Sequence, residues 1–256
     1  MLNESSIISV IGLGYVGLPT ALIIANRGYT VIGVDTNAKV VNQINRGQVP
    51  LFEPDLDLIL KNTIKSYKFS VYLEPQPADI FIISVPTPFK KNKIPDLKYL
   101  RKAVDSIAPI ISQNNLIILE STSPVGTTEK VRDWLARSRL DLNMPGTSQK
   151  PDIYIAHSPE RVLPGKIFSE LIENDRVIGG ITPQCTDKAI RFYNSFISGK
   201  CHATSAKTAE LIKLSENAFR DTNIAFANEI SMICESLDVD VWEVIELANM
   251  HPRVDI

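Results

Sequence analysis

Residues 7–17 read Ile-Ile-Ser-Val-Ile-Gly-Leu-Gly-Tyr-Val-Gly, a short apolar strand that runs into three spaced glycines. At such a strand–helix junction the first glycine, Gly12, permits a tight turn, and the second, Gly14, lets the backbone approach a pyrophosphate. The third, Gly17, lets the following helix pack close to the strand. The free N–H groups at the start of that helix would face the phosphates. The stretch therefore predicts a Rossmann-type unit that binds a dinucleotide.

The second predicted strand, residues 30–34, ends at an acidic residue, Asp35. A carboxylate at this distance from the glycines is typical of a group that binds the ribose 2′-hydroxyl and repels a 2′-phosphate. This spacing favours NAD over NADP as the cofactor. The alternative is that Asp35 only caps a helix that begins near Asn37.

The bulk composition is that of an ordinary globular protein. The chain has 256 residues, of which 44% are hydrophobic and 22% charged, with a formal net charge of −2. This charge gives no reason to expect a nucleic-acid partner, and no apolar run is long enough for a membrane span. The three cysteines lack metal-ligand spacing, and no signal peptide is visible, so we expect no metal site and a cytoplasmic location.

Apolar strands alternate with helical segments over the first 203 residues. Buried strands separated by helices indicate an α/β fold, a doubly wound and mostly parallel sheet. The predicted strands are residues 7–11, 30–34, 69–72, 80–85, 116–119, 153–156, 176–179 and 200–203. The clearest predicted helices are residues 16–26, 96–110 and 127–136. We assign residues 1–203 to one cofactor-binding domain.

The pattern changes in residues 204–256, which we assign to a helical region. Residues 208–237 contain no Gly or Pro and predict one long helix, and residues 241–248 predict a shorter one. The long helix carries apolar residues on more than one face, which is typical of a helix buried on several sides. We therefore expect a homodimer that forms through this helix.

Three further polar segments follow predicted strands, at the sheet edge where open α/β sheets bind ligands. They are residues 84–88, Ser-Val-Pro-Thr-Pro; residues 120–127, Glu-Ser-Thr-Ser-Pro-Val-Gly-Thr; and residues 157–165, His-Ser-Pro-Glu-Arg-Val-Leu-Pro-Gly. The first two are also compatible with simple proline-rich turns that end a strand. In the third, Glu160 and Arg161 are alternatively a surface ion pair or a cap.

The long helix adds a candidate pair, Lys213 and Asn217. They are four residues apart and share one helical face, where a cation beside an amide could stabilise an oxyanion. Alternatively, Lys213 pairs in water with Glu210 or Glu216.

Taken together, these segments resemble the UDP-glucose/GDP-mannose dehydrogenase family over the whole chain. The matching stretches begin with the glycine segment and continue through residues 85–89, 120–126, 159–165, 174–180, 219–221, 225–229 and 251–254. The resemblance implies oxidation of a sugar C6 alcohol to a carboxylate with two NAD, for surface-polysaccharide precursors. In the implied mechanism a cysteine thiolate captures the intermediate aldehyde as a thiohemiacetal, a second hydride transfer to NAD makes a thioester, and water releases the acid.

The resemblance also implies individual residue roles. The residues implied in cofactor binding are Gly12, Gly14, Tyr15, Val16, Gly17, Asp35, Thr87, Ser121 and Thr122. Those implied in substrate binding are Arg161, Val162, Leu163, Lys213, Asn217 and Arg253, the last reaching the substrate of a neighbouring subunit. For catalysis, Thr122 positions a water or hydroxyl, Glu160 is the base for thioester hydrolysis, and Lys213 and Asn217 stabilise the oxyanion.

Two departures qualify the resemblance. Pro164 stands where the UDP-glucose branch has an acidic residue, which favours the acetamido-sugar branch and UDP-N-acetylmannosamine as substrate. The family's glycine-rich cysteine loop and its UDP-binding domain have no counterpart in these 256 residues, so we expect a truncated chain that binds NAD but is inactive. The alternatives are a single-hydride β-hydroxyacid dehydrogenase and a non-catalytic NAD-binding or dimerising module.

Overall fold

A computed structural model describes residues 6–50, 56–162 and 165–256. The described strands are β1 (Ile7–Ile11), β2 (Thr30–Val34), β3 (Phe69–Tyr72), β4 (Ile80–Ile83), β5 (Leu116–Leu119), β6 (Tyr154–His157), β7 (Arg176–Gly180) and β8 (Cys201–Ser205). The described α-helices are α1 (Gly17–Asn26), α2 (Ala38–Asn45), α3 (Leu56–Lys65), α4 (Lys98–Ile107), α5 (Thr127–Ser138), α6 (Ile167–Glu173), α7 (Pro183–Tyr193), α8 (Ala206–Leu237) and α9 (Val241–Ala248). A 3₁₀ turn covers Lys91–Lys93.

The strands form one sheet in the order β3-β2-β1-β4-β5-β6-β7-β8. All neighbouring pairs are parallel except β6 and β7, which run antiparallel. The predicted α/β doubly wound, mostly parallel sheet is thereby confirmed. The fourth strand ends at Ile83 rather than at residue 85, because Pro86 and Pro88 follow and cannot donate backbone hydrogen bonds to a ladder.

The sheet is covered on both faces because successive side chains of its central strands point to opposite sides. In β4, Ile80 and Ile82 belong to one buried cluster, whereas Phe81 and Ile83 belong to the other. The first cluster includes side chains of α1 and α7, and the second includes side chains of α4 and α5. Each fully buried aliphatic side chain contributes about 1.5–3 kcal/mol of transfer free energy. This burial holds the carboxyl ends of the strands in place.

The chain divides into two compact units, Met1–Leu211 and Ile212–Ile256. The boundary falls within α8, a single 32-residue helix. In the second unit, large apolar side chains of α8 and α9 are solvent-exposed, among them Phe219 at 70% and Trp242 at 76%. Over the part of the chain that the structure describes, no helix combines the length and apolarity needed to cross a membrane.

A buried carboxylate near the start of α8 caps the start of α5. Glu210 is 1% exposed, and its Oε2 accepts a hydrogen bond from the Gly126 N–H at 2.6 Å. Its Oε1 accepts from the Thr128 N–H at 2.7 Å and from the Thr128 hydroxyl at 2.6 Å. These N–H groups have no partner within their own helix, so the Glu210 carboxylate supplies their hydrogen-bond acceptors. Its position also gives a favourable electrostatic interaction with the positive end of the α5 dipole.

We expect the substitution Glu210→Ala to lower the free energy of unfolding by about 3 kcal/mol, because it leaves buried donors unsatisfied. Urea unfolding followed by circular dichroism measures this loss. Glu129→Ala is the matched control, since Glu129 lies in the same helix turn and forms only an exposed pair with Lys207 at 3.1 Å. Equal stability of the two variants would contradict the capping role.

Candidate functional site

The glycine turn between β1 and α1 is built by close backbone contacts. Gly12 has a φ of +95°, and a Cβ at that position would lie 2.5 Å from the carbonyl oxygen of Ser84. A Cβ on Gly17 would overlap the carbonyl oxygen of Gly12. Around an ideal Cβ on Gly14, by contrast, no atom of the described residues beyond its two chain neighbours lies within 4 Å. Two of the glycines are therefore required by the fold, whereas Gly14 leaves open space above the turn.

Asp35 connects the end of β2 to the glycine turn. Its Oδ2 accepts a hydrogen bond from the Leu13 N–H at 3.0 Å, and its Oδ1 accepts from the Asn37 N–H at 2.8 Å. The N-cap of α2 is Asn37, whose side chain accepts from the Lys39 N–H. Asn37, not Asp35, is therefore the N-cap of α2, and the Asp35 carboxylate bonds both to the glycine turn and to the residue that caps the helix. The role of Asp35 toward a ribose stays a prediction.

The segments after β4 and β5 bind each other. The Thr87 hydroxyl donates to the carbonyl oxygen of Thr122 at 2.5 Å, and the Ser121 hydroxyl donates to the carbonyl oxygen of Val85 at 2.7 Å. Both segments do end their strands, as the turn interpretation requires. The cross-bonding also fixes them as one wall of a cavity, which simple proline-rich turns would not require.

The segment after β6 contributes Glu160 to the same cavity, and its carboxylate accepts a hydrogen bond from the Val162 N–H. Arg161 points elsewhere: its guanidinium donates to the carbonyl oxygen of Asp175 at 3.3 Å. Arg161 and Val162 line a separate small pocket beside the start of β7. Leu163, the third residue predicted for substrate binding in this segment, lies outside the described residues, as does Pro164.

The cavity at the carboxyl edge of the sheet has a volume of about 340 Å³. It brings together the ends of β1, β2, β4, β5 and β6. The predicted site residues that line it are Gly12, Gly14, Tyr15, Val16, Asp35, Thr87, Ser121, Thr122 and Glu160. A larger cavity of about 870 Å³ lies at the opposite, amino edge of the sheet and is lined by Asn114, Lys188 and Arg191 among others.

Three predicted site residues, Lys213, Asn217 and Arg253, belong to the second compact unit. Lys213 and Asn217 share α8, as their spacing predicted, and the Asn217 side-chain oxygen accepts from the Arg220 guanidinium at 3.2 Å. Arg253 is exposed, and its N–H donates to the Nδ1 atom of His251 at 3.3 Å. Their roles toward a substrate remain predictions.

Sequence reasoning assigned no role to Glu120, although the residue lies on the cavity wall at the end of β5. Its Oε1 accepts a hydrogen bond from the Tyr193 hydroxyl at 2.8 Å and lies 3.7 Å from a guanidinium nitrogen of Arg176. All three side chains are buried. The available signal was an acidic residue directly after an all-apolar buried strand. Burial raises the pKa of this carboxyl, and the neighbouring Arg176 charge opposes that rise.

Each of the three cysteine thiols is at least half-buried. Cys185 is fully buried in α7, where its Sγ accepts from the Ile155 N–H, and Cys234 is 5% exposed. Burial raises the pKa of the Cys201 thiol in β8. Cys201 is half-buried and His202 is exposed, consistent with alternating faces of the strand. Cys185 and Cys234 are thus enclosed by the protein, whereas reactive cysteines are normally accessible.

The residues at the carboxyl edge fit a dinucleotide. A Cβ on Gly14 would project into the empty space where a pyrophosphate needs close access to the backbone. The first turn of α1 has neither a side-chain cap nor an acidic residue, so its free N–H groups can bind an anion. Asp35 stands at the neighbouring strand end, where a ribose hydroxyl would lie.

This fold and this cavity are those of a Rossmann-type domain, the class of domain that binds dinucleotides. The chain belongs to the UDP-glucose/GDP-mannose dehydrogenase family. Residues 6–197 match the NAD binding domain of that family, and residues 207–256 match its central domain. The resemblance inferred from the motifs is confirmed, and NAD is the cofactor of the family. The match favours this family over the β-hydroxyacid dehydrogenase alternative.

Relatives support the same assignment. An NDP-N-acetyl-D-galactosaminuronic acid dehydrogenase of Ralstonia nicotianae is 54% identical over 97% of this chain and 59% of its own length. A UDP-N-acetyl-D-mannosamine dehydrogenase of Campylobacter jejuni is 52% identical over 100% of this chain and 63% of its own length. The solved UDP-D-ManNAc dehydrogenase of Pyrococcus horikoshii superposes with a TM-score of 0.91 at 43% identity, over 98% of this chain and 59% of that one. The chain thus spans about three fifths of the length of these relatives.

Proposed function

We propose that this chain binds NAD in the cavity at the carboxyl edge of the sheet. One observation carries the proposal: the same cavity is lined by Gly14, Asp35, Thr87 and Ser121. The open space above Gly14 belongs to this cavity. In this arrangement the glycine turn holds the pyrophosphate and Asp35 holds the adenosine ribose. Thr87 and Ser121 line the path of the dinucleotide.

We further propose that the whole protein oxidises the C6 alcohol of a UDP-N-acetylhexosamine, with UDP-N-acetylmannosamine as the first candidate. The names of the relatives, which refer to N-acetylated sugar nucleotides, support this substrate class. Bound NAD would supply the acceptor for the hydride. The proposed location is the cytoplasm, which fits three free cysteines and a need for NAD.

Within that reaction we assign four residues. Thr122 positions a water or hydroxyl, and Glu160 acts as the base for hydrolysis, since both line the cavity. Lys213 and Asn217 stabilise the oxyanion from one face of α8. Arg161, Val162, Leu163 and Arg253 are assigned to the nucleotide sugar.

The thioester step needs a thiolate, and none of the three cysteines has a favourable setting for one. We therefore propose that these 256 residues bind NAD without completing the oxidation. Incubation of the purified chain with NAD and UDP-N-acetylmannosamine, followed at 340 nm, checks this proposal. Steady NADH production would contradict it. NAD binding without NADH production would agree with it, and also with the alternative of a non-catalytic NAD-binding module.

The second unit supports a homodimer through α8. Phe219, Ile224 and Phe226 are each at least half exposed on that helix, and such large apolar surfaces mark interaction sites. We expect sedimentation equilibrium at micromolar concentration to give twice the chain mass, and Phe219→Glu to give a monomer. Leu140→Glu, at a 90% exposed loop position in the first unit, is the control and should stay dimeric. A monomeric wild-type chain would refute the dimer.

The cofactor assignment is tested by the selectivity for NAD over NADP. Calorimetry should show NAD binding at least about tenfold tighter than NADP, because the Asp35 carboxylate accepts from a ribose hydroxyl and repels a phosphate. Asp35→Asn should weaken NAD binding by about tenfold, a loss of about 1.4 kcal/mol in binding free energy. It should also reduce the ratio of the NADP Kd to the NAD Kd.

Asp79→Asn provides the matched control. Asp79 also accepts a backbone hydrogen bond, from the Ile7 N–H at 2.8 Å, but it lies at the amino edge of the sheet. Its replacement should leave both affinities unchanged. Equal affinity of the wild-type chain for NAD and NADP would count against the assigned role of Asp35.

A further inference from the structure

The Glu120 carboxyl group is incompletely satisfied in its buried setting. The residue is 2% exposed and lines the cofactor cavity. Its Oε1 atom receives the Tyr193 hydroxyl and faces Arg176, but Oε2 has no hydrogen-bond partner among the described residues. Buried polar atoms are nearly always hydrogen-bonded, so this enclosed oxygen, in a residue of the cavity wall, calls for an explanation beyond the fold. A charge behind the wall acts through space on what the cavity holds.

The strand order determines which part of a dinucleotide would lie near Glu120. Asp35 stands at the end of β2, the glycine turn at β1, Thr87 beyond β4 and Glu120 at β5, in that spatial order. Neighbouring strands are about 4.8 Å apart. A dinucleotide with its adenosine ribose at Asp35 and its pyrophosphate at the glycine turn extends its nicotinamide toward β4 and β5.

The nicotinamide ring carries a positive charge when oxidised and none when reduced. A carboxylate near it attracts the oxidised ring and has no comparable interaction with the reduced one. At a separation of about 10 Å and an effective dielectric constant of about 20, the attraction of a lone carboxylate corresponds to roughly a tenfold difference in affinity. The Arg176 charge, 3.7 Å from Oε1, offsets part of this attraction, so about tenfold is its upper limit.

We propose that Glu120 is a specificity-determining residue that makes this site prefer oxidised over reduced cofactor. This inference rests on the proposed function, because it requires that NAD binds in this cavity. Glu120 acts here through its charge and takes no part in the transfer of hydride. The preference would favour exchange of NADH for NAD between two successive oxidations.

The charged and titratable groups around Glu120 determine the conditions of the test. Burial raises the pKa of the Glu120 carboxyl, the Arg176 charge and the Tyr193 hydrogen bond lower it, and the Glu160 charge raises it. Burial also raises the pKa of Tyr193 well above its usual value, so this residue remains a neutral donor. His157 is neutral because burial lowers its pKa to about 4. We therefore choose pH 8.5, at which Glu120 is ionised to the greatest practical extent.

The test is Glu120→Gln, which removes the charge and keeps an oxygen to accept from Tyr193. Calorimetry at pH 8.5 gives the Kd values of NAD, NADH and ADP-ribose, the last of which lacks the nicotinamide. We expect the ratio of the NADH Kd to the NAD Kd to fall, by at most about tenfold, with the ADP-ribose Kd unchanged. Tyr193→Phe is the comparison variant, because it perturbs the same buried cluster and keeps the carboxyl group. Loss of the Tyr193 hydrogen bond raises the Glu120 pKa, so this variant should lower the ratio less than Glu120→Gln does.

A second variant covers the case in which the single variant is unstable because Arg176 is left unpaired. Glu120→Gln combined with Arg176→Gln removes both charges. Since Glu120 lines the cavity and Arg176 does not, the ratio should still fall. A wild-type ratio in either variant, when ADP-ribose still binds, would overturn the inference and leave the proposed function standing. Failure of the folded wild-type chain to bind both NAD and ADP-ribose would overturn the proposed function itself.

Discussion

Replacement of Gly14 by valine is expected to abolish NAD binding while the chain remains folded. No atom of the described residues beyond its two chain neighbours lies within 4 Å of an ideal Cβ at this position, and Gly14 is exposed, so the fold tolerates a side chain. The new methyl groups would fill the space that a pyrophosphate needs to approach the backbone. We expect the NAD Kd to rise more than about 100-fold, a loss of about 2.7 kcal/mol, as measured by calorimetry.

Gly17→Ala is the contrasting variant, because its Cβ would overlap the carbonyl oxygen of Gly12. It should lower the melting temperature, whereas Gly14→Val should leave this temperature close to that of the wild-type chain. Normal NAD affinity in a folded Gly14→Val variant would show that the cofactor does not approach this turn.

Buried His157 is expected to make the free energy of unfolding fall by about 3 kcal/mol between pH 6.5 and pH 4. Burial lowers the pKa of His157 from 6.5 to about 4. Between these two values the unfolded chain holds a proton that the native chain does not, so stability falls as the pH falls from 6.5 to 4. A difference of about 2.5 pKa units corresponds to about 3 kcal/mol.

Urea unfolding at pH 4.5, 5.5 and 7 measures this dependence. His157→Gln removes the titrating group from both states. It should therefore remove most of the roughly 3 kcal/mol loss of unfolding free energy that the wild-type chain shows on acidification. His251→Gln, at an exposed position, is the control and should retain the wild-type slope. If the His157→Gln variant loses stability with falling pH as steeply as the wild-type chain, the ring is not held neutral by burial.

The strand and helix pattern was predictable because it depends on local periodicity. Buried strands such as β4 and β5 are uninterrupted apolar runs, and the glycine turn has a fixed spacing set by backbone geometry. The antiparallel pairing of β6 with β7 was not assigned, because strand direction depends on the path of the chain between strands rather than on the strand residues. The residue pattern also predicted the end of β4 two positions too late, at residue 85 rather than Ile83.

The candidate site was predictable where a residue type is demanded by backbone geometry, as at Gly12 and Gly17. It was less predictable where a role arises from distant contacts. The capping of α5 by Glu210 joins residues more than 80 positions apart, and the Glu120 hydrogen bond to Tyr193 spans 73 positions. Such pairings follow from the assembled fold and leave no periodic signal in the sequence.

The cavity at the carboxyl edge is the proposed NAD site, and an NMR titration locates the bound cofactor on the chain. The amide resonances of the ¹⁵N-labelled chain are followed as NAD is added. We expect saturable shifts at Gly14, Asp35 and Thr122, with little change at Asn114 and Lys188 beside the larger cavity at the opposite edge. Shifts confined to that opposite edge, or no shifts at all from a folded chain, would contradict the account.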